Sequence, residues 1–101
     1  MKKKLLVGML TSFFASCTSV TLPIQEYSLA RSAFESAEQN DAERLAPVAF
    51  QQAQQYYKLA EQFYEDRQFE EARMNFIKAR KFAEKAESLS RIKKSKTGEV
   101  L

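Results

Sequence analysis

Residues 69–86 read Phe-Glu-Glu-Ala-Arg-Met-Asn-Phe-Ile-Lys-Ala-Arg-Lys-Phe-Ala-Glu-Lys-Ala. Phe69, Ala72, Phe76, Ala79, Ala83 and Ala86 recur at alternating steps of three and four, which puts them along one side of an α-helix. Large rings alternate with alanines, so a facing helix can come close at the alanines and lock over the rings. Glu70 and Glu71 stand where the positive end of the helix dipole favours carboxylates, and Lys and Arg crowd the far end, again the favourable sign. No Gly or Pro interrupts the run before Gly98. The pattern predicts a helix over 69–94, followed by a flexible tail, 95–101.

Working back from Phe69, Asp66-Arg67-Gln68 reads as a tight polar connection to a second helix, predicted over 47–66. Pro47 suits its first turn, where a missing N–H costs nothing. This helix carries two adjacent apolar stripes. One holds Tyr56, Ala60 and Phe63. The other holds Phe50, Tyr57 and Tyr64, offset by one residue and hence by ~100° around the axis. Two apolar faces predict two neighbours, with the second helix in the middle, the third on one side and the first on the other. The first helix is predicted over 23–39 from Pro23 and the spacing of Tyr27, Ala30, Phe34 and Ala37, with Gln39-Asn40-Asp41 as a turn. No interval reads as a strand. The expected fold is all-α: one small domain, 23–94, of three helices built on an antiparallel hairpin.

The N-terminus has a different character. Lys2, Lys3 and Lys4 precede the apolar run Leu5 to Leu10, and Phe13-Phe14-Ala15-Ser16 leads to Cys17, the single cysteine. A basic n-region, a short apolar h-region and small residues at a cleavage point form the layout of an export signal. With the cysteine placed directly after Ala15-Ser16, the segment resembles a bacterial lipoprotein signal. Residues 1–16 are then a signal helix that is removed, Cys17 is the acylated first residue, and 17–22 is a tether. The run falls short of the ~20 apolar residues that span a bilayer. An uncleaved signal anchor and a buried helix with an ordinary core thiol are the alternatives. Thr18, not acidic, stands after the cysteine, so the resemblance implies the outer membrane, facing the periplasm, with inner-membrane retention or surface display as alternatives.

The formal net charge is +3, but three of the 16 basic residues are Lys2, Lys3 and Lys4. The remainder balances at 13 basic against 13 acidic, which removes the case for nucleic acid. Charge is nonetheless segregated: Lys78 to Lys96 is basic, whereas Glu26 to Arg44 is acidic. A mature chain of this size buries only ~60–65% of its unfolded surface, so modest stability is expected.

The chain has no histidine, and an acylated Cys17 leaves no thiol, so the usual acid–base, nucleophilic and zinc sites have no donors. No enzyme and no cofactor beyond the lipid on Cys17 is expected. Glu61, Glu65, Asp66, Glu70 and Glu71 around the second turn could hold a hard cation; the plainer reading is a solvated hairpin tip. Two groups are candidates for partner binding. Phe50, Tyr57 and Tyr64 are a docking or sugar-stacking stripe, or else core against the first helix. Arg91, Lys93 and Lys94, with Lys96, are a basic end for anionic headgroups or glycans, or else a solvated helix end.

Tyr56, Leu59, Ala60 and Phe63, followed across the turn by Ala72, Phe76 and Ala79, resemble a single tetratricopeptide unit, although Glu84 stands at the family's closing proline. The regular alanines from Ala30 to Ala86, the Ala46-Pro47 helix start and the Gln68-Phe69-Glu70-Glu71-Ala72 turn resemble the 4398-like, alanine-rich domain-of-unknown-function family of bacterial envelope lipoproteins. That resemblance implies a helical envelope module and no activity. The expectation is a non-catalytic, membrane-anchored periplasmic lipoprotein that binds a protein partner or itself. The alternative is a binder of peptidoglycan or anionic glycolipid.

Overall fold

The computed structural model describes residues 21–98. The signal segment 1–16, the acylation candidate Cys17, the tether up to residue 20 and the last residues of the tail, 99–101, lie outside them. Among the described residues the elements are four helices and no strand: α1 (Ile24–Gln39), α2 (Ala42–Leu45), α3 (Pro47–Glu65) and α4 (Phe69–Thr97).

Each boundary has a local cause. Pro23 stands just before α1 and its carbonyl accepts the Tyr27 N–H at 3.1 Å. Asp41, in the left-handed region at φ 62°, turns the chain into α2, where its carboxylate pairs with Arg44 at 2.7 Å. Pro47 occupies the first turn of α3. The α3–α4 connection closes with Gln68 N–H bonded to Phe63 O at 2.8 Å and Arg67 N–H to Tyr64 O at 3.0 Å. This is the paired bonding of a Schellman ending, with Arg67 at φ 61° in the place glycine usually takes. Gly98, at φ 74°, ends α4.

The turn expected at Gln39-Asn40-Asp41 forms at Asn40 and Asp41, and α2 follows it, four residues long and too short to show a period. Two expectations need correction. The last helix runs to Thr97 rather than 94, because Ser95, Lys96 and Thr97 meet no breaker until Gly98, and the Thr97 hydroxyl donates to Lys93 O at 3.0 Å. The central helix is α4, not the second long helix. Both α1 and α3 lie along α4, whereas the α1 and α3 backbones stay apart.

The reason lies in side-chain size. Among the described residues the buried hydrophobic ones are twelve alanines and two phenylalanines, Phe50 and Phe76. Alanines from α1 (Ala30, Ala33, Ala37) and from α3 (Ala53, Ala60) converge on Ala72, Ala79, Ala83 and Ala86 of α4, so both helices approach α4 closely. Ser90 continues the α4 seam, fully buried, its hydroxyl donating to Ala86 O at 2.7 Å. Between α1 and α3, by contrast, stand rings. Phe34 packs edge-on against Phe50 and Tyr57 at 5.8 and 5.3 Å, and Tyr27 meets Tyr57 at 6.2 Å. Arg73 ties the start of α1 to α4, bonding Glu26 at 3.2 Å and Thr21 O at 3.1 Å.

Candidate functional site

Because α1 and α3 touch through rings and not through backbone, the seam between them opens as a cleft of two hollows that share Glu61. One end, about 590 Å³, has Tyr27 and Phe76 as apolar walls, with Pro23 and Ile24 on one side and Tyr64 on the other. Glu61 and Glu65 stand at its edge. The other end, about 480 Å³, passes Phe34 and Tyr57 between Arg31, Glu35 and Glu38 of α1 and Gln54, Lys58 and Glu61 of α3. Four carboxylates against two cations give the rim an acidic excess, and the floor is aromatic.

The two tyrosines in the floor differ electrostatically. Arg31 donates to the Tyr27 hydroxyl at 3.3 Å, which holds that phenol below its ordinary pKa of 10.0, with the neighbouring Tyr57 hydroxyl acting in the same direction. Burial pushes Tyr57 up, and the nearby Tyr27 hydroxyl pushes the same way. Folded Tyr57 therefore keeps its proton above the pH at which an ordinary tyrosine ionises. An unfolded tyrosine ionises near 10, so above that pH the unfolded state loses a proton that the folded state keeps. Stability then falls as pH rises, and Tyr27 contributes in the opposite sense. Thermal melts between about pH 10 and 12 are expected to fall less steeply for Tyr57→Phe than for the parent; equal slopes would show that the Tyr57 hydroxyl is not buried as described.

The three members of the Phe50, Tyr57, Tyr64 stripe have separate fates. Phe50, 2% exposed, is core beneath Phe34 and is not available to a partner, a correction to its place among the candidates. Tyr57 is half-buried in the cleft floor. Tyr64, 42% exposed, stands at the mouth with its ring edge-on to Phe69 at 5.4 Å. Tyr27 completes the cleft although nothing in its sequence pattern marked it for a site, and Glu61, a cation-ligand candidate from its place near the second turn, stands at the cleft edge instead. The signal for Tyr27 was present in the first-helix stripe, but a stripe residue at a helix start does not announce that it faces open space.

The basic end is also divided. Arg91 pairs with Glu87 at 2.6 Å. Lys93 donates to Leu45 O, fastening α2 to α4. Lys94 is half-buried near the end of the helix. These three do not form one surface with the cleft. Among the described residues no group of three or more His, Cys, Asp or Glu is placed to hold a metal ion, and no helix is long and apolar enough to cross a membrane.

A family model described as a domain of unknown function (DUF4398) matches residues 25–99. No curated protein matches the chain, and no solved structure does. The matched range runs from the first turn of α1 to just past the end of α4, so it takes in every helix that lines the cleft.

Proposed function

The chain belongs to the family of the domain of unknown function DUF4398, and from that premise we propose that it is a non-catalytic helical module that engages a protein partner through the cleft between α1 and α3. It is held by lipid on Cys17 at the outer membrane, facing the periplasm. The observation that supports this reading is the chemistry of the cleft: an aromatic floor of Tyr27, Tyr57 and Phe76 under a rim of Glu35, Glu38, Glu61 and Glu65. Rings supply contact area at small entropic cost, and carboxylates around them select a cationic segment with an apolar anchor. The tetratricopeptide-like spacing of the α3–α4 hairpin is in keeping with a scaffold for such a segment. Binding of peptidoglycan or anionic glycolipid through Arg91, Lys93 and Lys94 has less behind it, because Arg91 and Lys93 are already bonded within the domain.

A photo-crosslinking residue in place of Tyr64, in intact cells, is expected to give a defined protein adduct that the same residue at Lys85 does not. Glu61→Lys with Glu65→Lys should lower its yield on the order of tenfold. Equal adducts from both positions, or none with a strictly monomeric protein, would remove the cleft from consideration. Independently, Cys17→Ser is expected to abolish palmitate incorporation and to let a high-salt wash release the chain from the membrane fraction. Palmitate that never enters the parent would end the anchor reading and leave the cleft reading standing.

A further inference from the structure

The side of α4 turned away from the cleft carries a second surface. Met74, Lys78, Lys81 and Lys85 follow one another at steps of four, three and four, and Leu89, Ile92 and Lys96 continue at four, three and four. All seven are exposed. At 3.6 residues per turn this is one continuous stripe, ~33 Å from end to end. It holds four lysines and three apolar side chains and no carboxylate. The arginines of α4 are sorted elsewhere: Arg73 pairs with Glu26, Arg80 with Glu84 at 3.6 Å and Arg91 with Glu87. Glu84 and Glu87 are the only carboxylates between Met74 and Thr97, so the acids of this stretch are matched by arginines along the other edge. Lys81, Lys85 and Lys96 make no ion pair among the described residues, and Lys78 lies over the Tyr56 ring, 5.5 Å from its centre. The adjoining flank of α3 adds Val48, Gln55, Leu59 and Gln62, none of them charged, with Val48 70% exposed.

We infer that this face of α4 lies on an anionic phospholipid surface, with the lysines among the headgroup phosphates and Met74, Leu89 and Ile92 dipping between them. A polyanion in solution would be served by the lysines alone. The interleaved apolar side chains, 59%, 38% and 51% exposed, suit a layer that is charged outside and oily beneath. The chain enters the described fold beside the same end of α4, where Thr21 O accepts from Arg73. Thr21 is four steps along the chain from Cys17, a reach of at most ~14 Å. An anchor at Cys17 would thus hold the start of the stripe near the headgroups, although the charge argument stands without it and does not rest on the cleft.

Amine acetylation of the full chain, mapped by mass spectrometry, tests this. With vesicles containing about 30% phosphatidylglycerol, the rates at Lys81 and Lys85 should fall at least about fivefold relative to pure phosphatidylcholine. That is the factor expected for one lysine near an anionic surface. Lys58, on the cleft side of α3, should change less than about twofold, and about 0.5 M NaCl should reverse most of the protection. Lys81→Gln with Lys85→Gln should release Lys78 and Lys96 as well. Equal rates in the two lipids would overturn the inference, as would equal protection of Lys58. Protection by soluble polyglutamate but not by vesicles, or protection that grows with protein concentration whatever the lipid, would overturn it in favour of a polymer or a second copy. Sedimentation with pure phosphatidylcholine reports the anchor alone, so the two ideas fail separately.

Discussion

Phe76→Ala is expected to lower the unfolding free energy by about 3–5 kcal/mol. Phe76 is 2% exposed and lies where the three long helices share ring contacts: Tyr27 of α1 stands edge-on at 5.5 Å and Tyr57 of α3 at 5.6 Å. Alanine there would remove the ring and leave a void, because the small residues clustered with it, Ala30, Ala60, Ala72 and Ala79, have no side chain long enough to close over it. The effect is large relative to the whole. Small domains are stable by roughly 5–15 kcal/mol, and a core of alanines gains little apolar burial per residue, so the few rings carry a disproportionate share. Urea unfolding followed by helical circular dichroism reads this directly. A shift of the thermal midpoint by tens of degrees is the thermal counterpart, at about 4–8 °C per kcal/mol. A midpoint within a few degrees of the parent would mean that the ring cluster is not where the stability lies. The same substitution would also empty one wall of the cleft, so a loss of partner binding in Phe76→Ala is not by itself informative about the site.

Ala83→Leu should destabilise by about 3 kcal/mol or more, the upper end of what overpacking usually costs. Ala83 is fully buried and sits in one cluster with Ala33 of α1 and Ala53 of α3. Three added carbons at that point meet two neighbouring backbones and push α1 and α3 off α4 together. Two comparisons make the result specific. Lys81→Leu, two residues away and exposed, should shift stability by no more than about 0.5 kcal/mol. The aromatic signals of Tyr27 and Tyr57 should change in Ala83→Leu and not in Lys81→Leu, since only the first separates the helices that carry them. An Ala83→Leu protein as stable as the parent would contradict the placement of α4 at the centre.

Ion pairs add to this packing only modestly. Among the described residues, Arg73–Glu26 is the ion pair that joins two long helices, with both side chains about a fifth exposed. Most of the others lie within a single helix, at the surface, where such pairs contribute a few tenths of a kcal/mol. Their value here is in placement: Arg80 and Arg91 match Glu84 and Glu87 along one edge of α4, away from the outer lysines between Lys78 and Lys96.

Much of the architecture could be read from the chain itself. The α4 seam, the Pro47 start, the 66–68 connection and the absence of strands among the described residues all follow from local rules, namely side-chain period, proline geometry and dipole-matched charge, each of which acts within a few residues. The segregation of lysines along the outer side of α4 is also written in their spacing, though the paired arginines that make it informative are visible only in three dimensions. The order of the helices was a different matter. The two stripes of α3 suggested a middle position. Rings at Phe50 and Tyr57, however, hold a neighbour at a distance, whereas alanines let one approach, and an alanine seam does not record how many helices approach it. Only the packed structure decided that α1 and α3 both close on α4. The same cause divided the aromatic stripe: residues seven apart drift around a straight helix by ~20° per repeat, and with α1 displaced towards α4 that drift buries Phe50, floors the cleft with Tyr57 and carries Tyr64 to the surface.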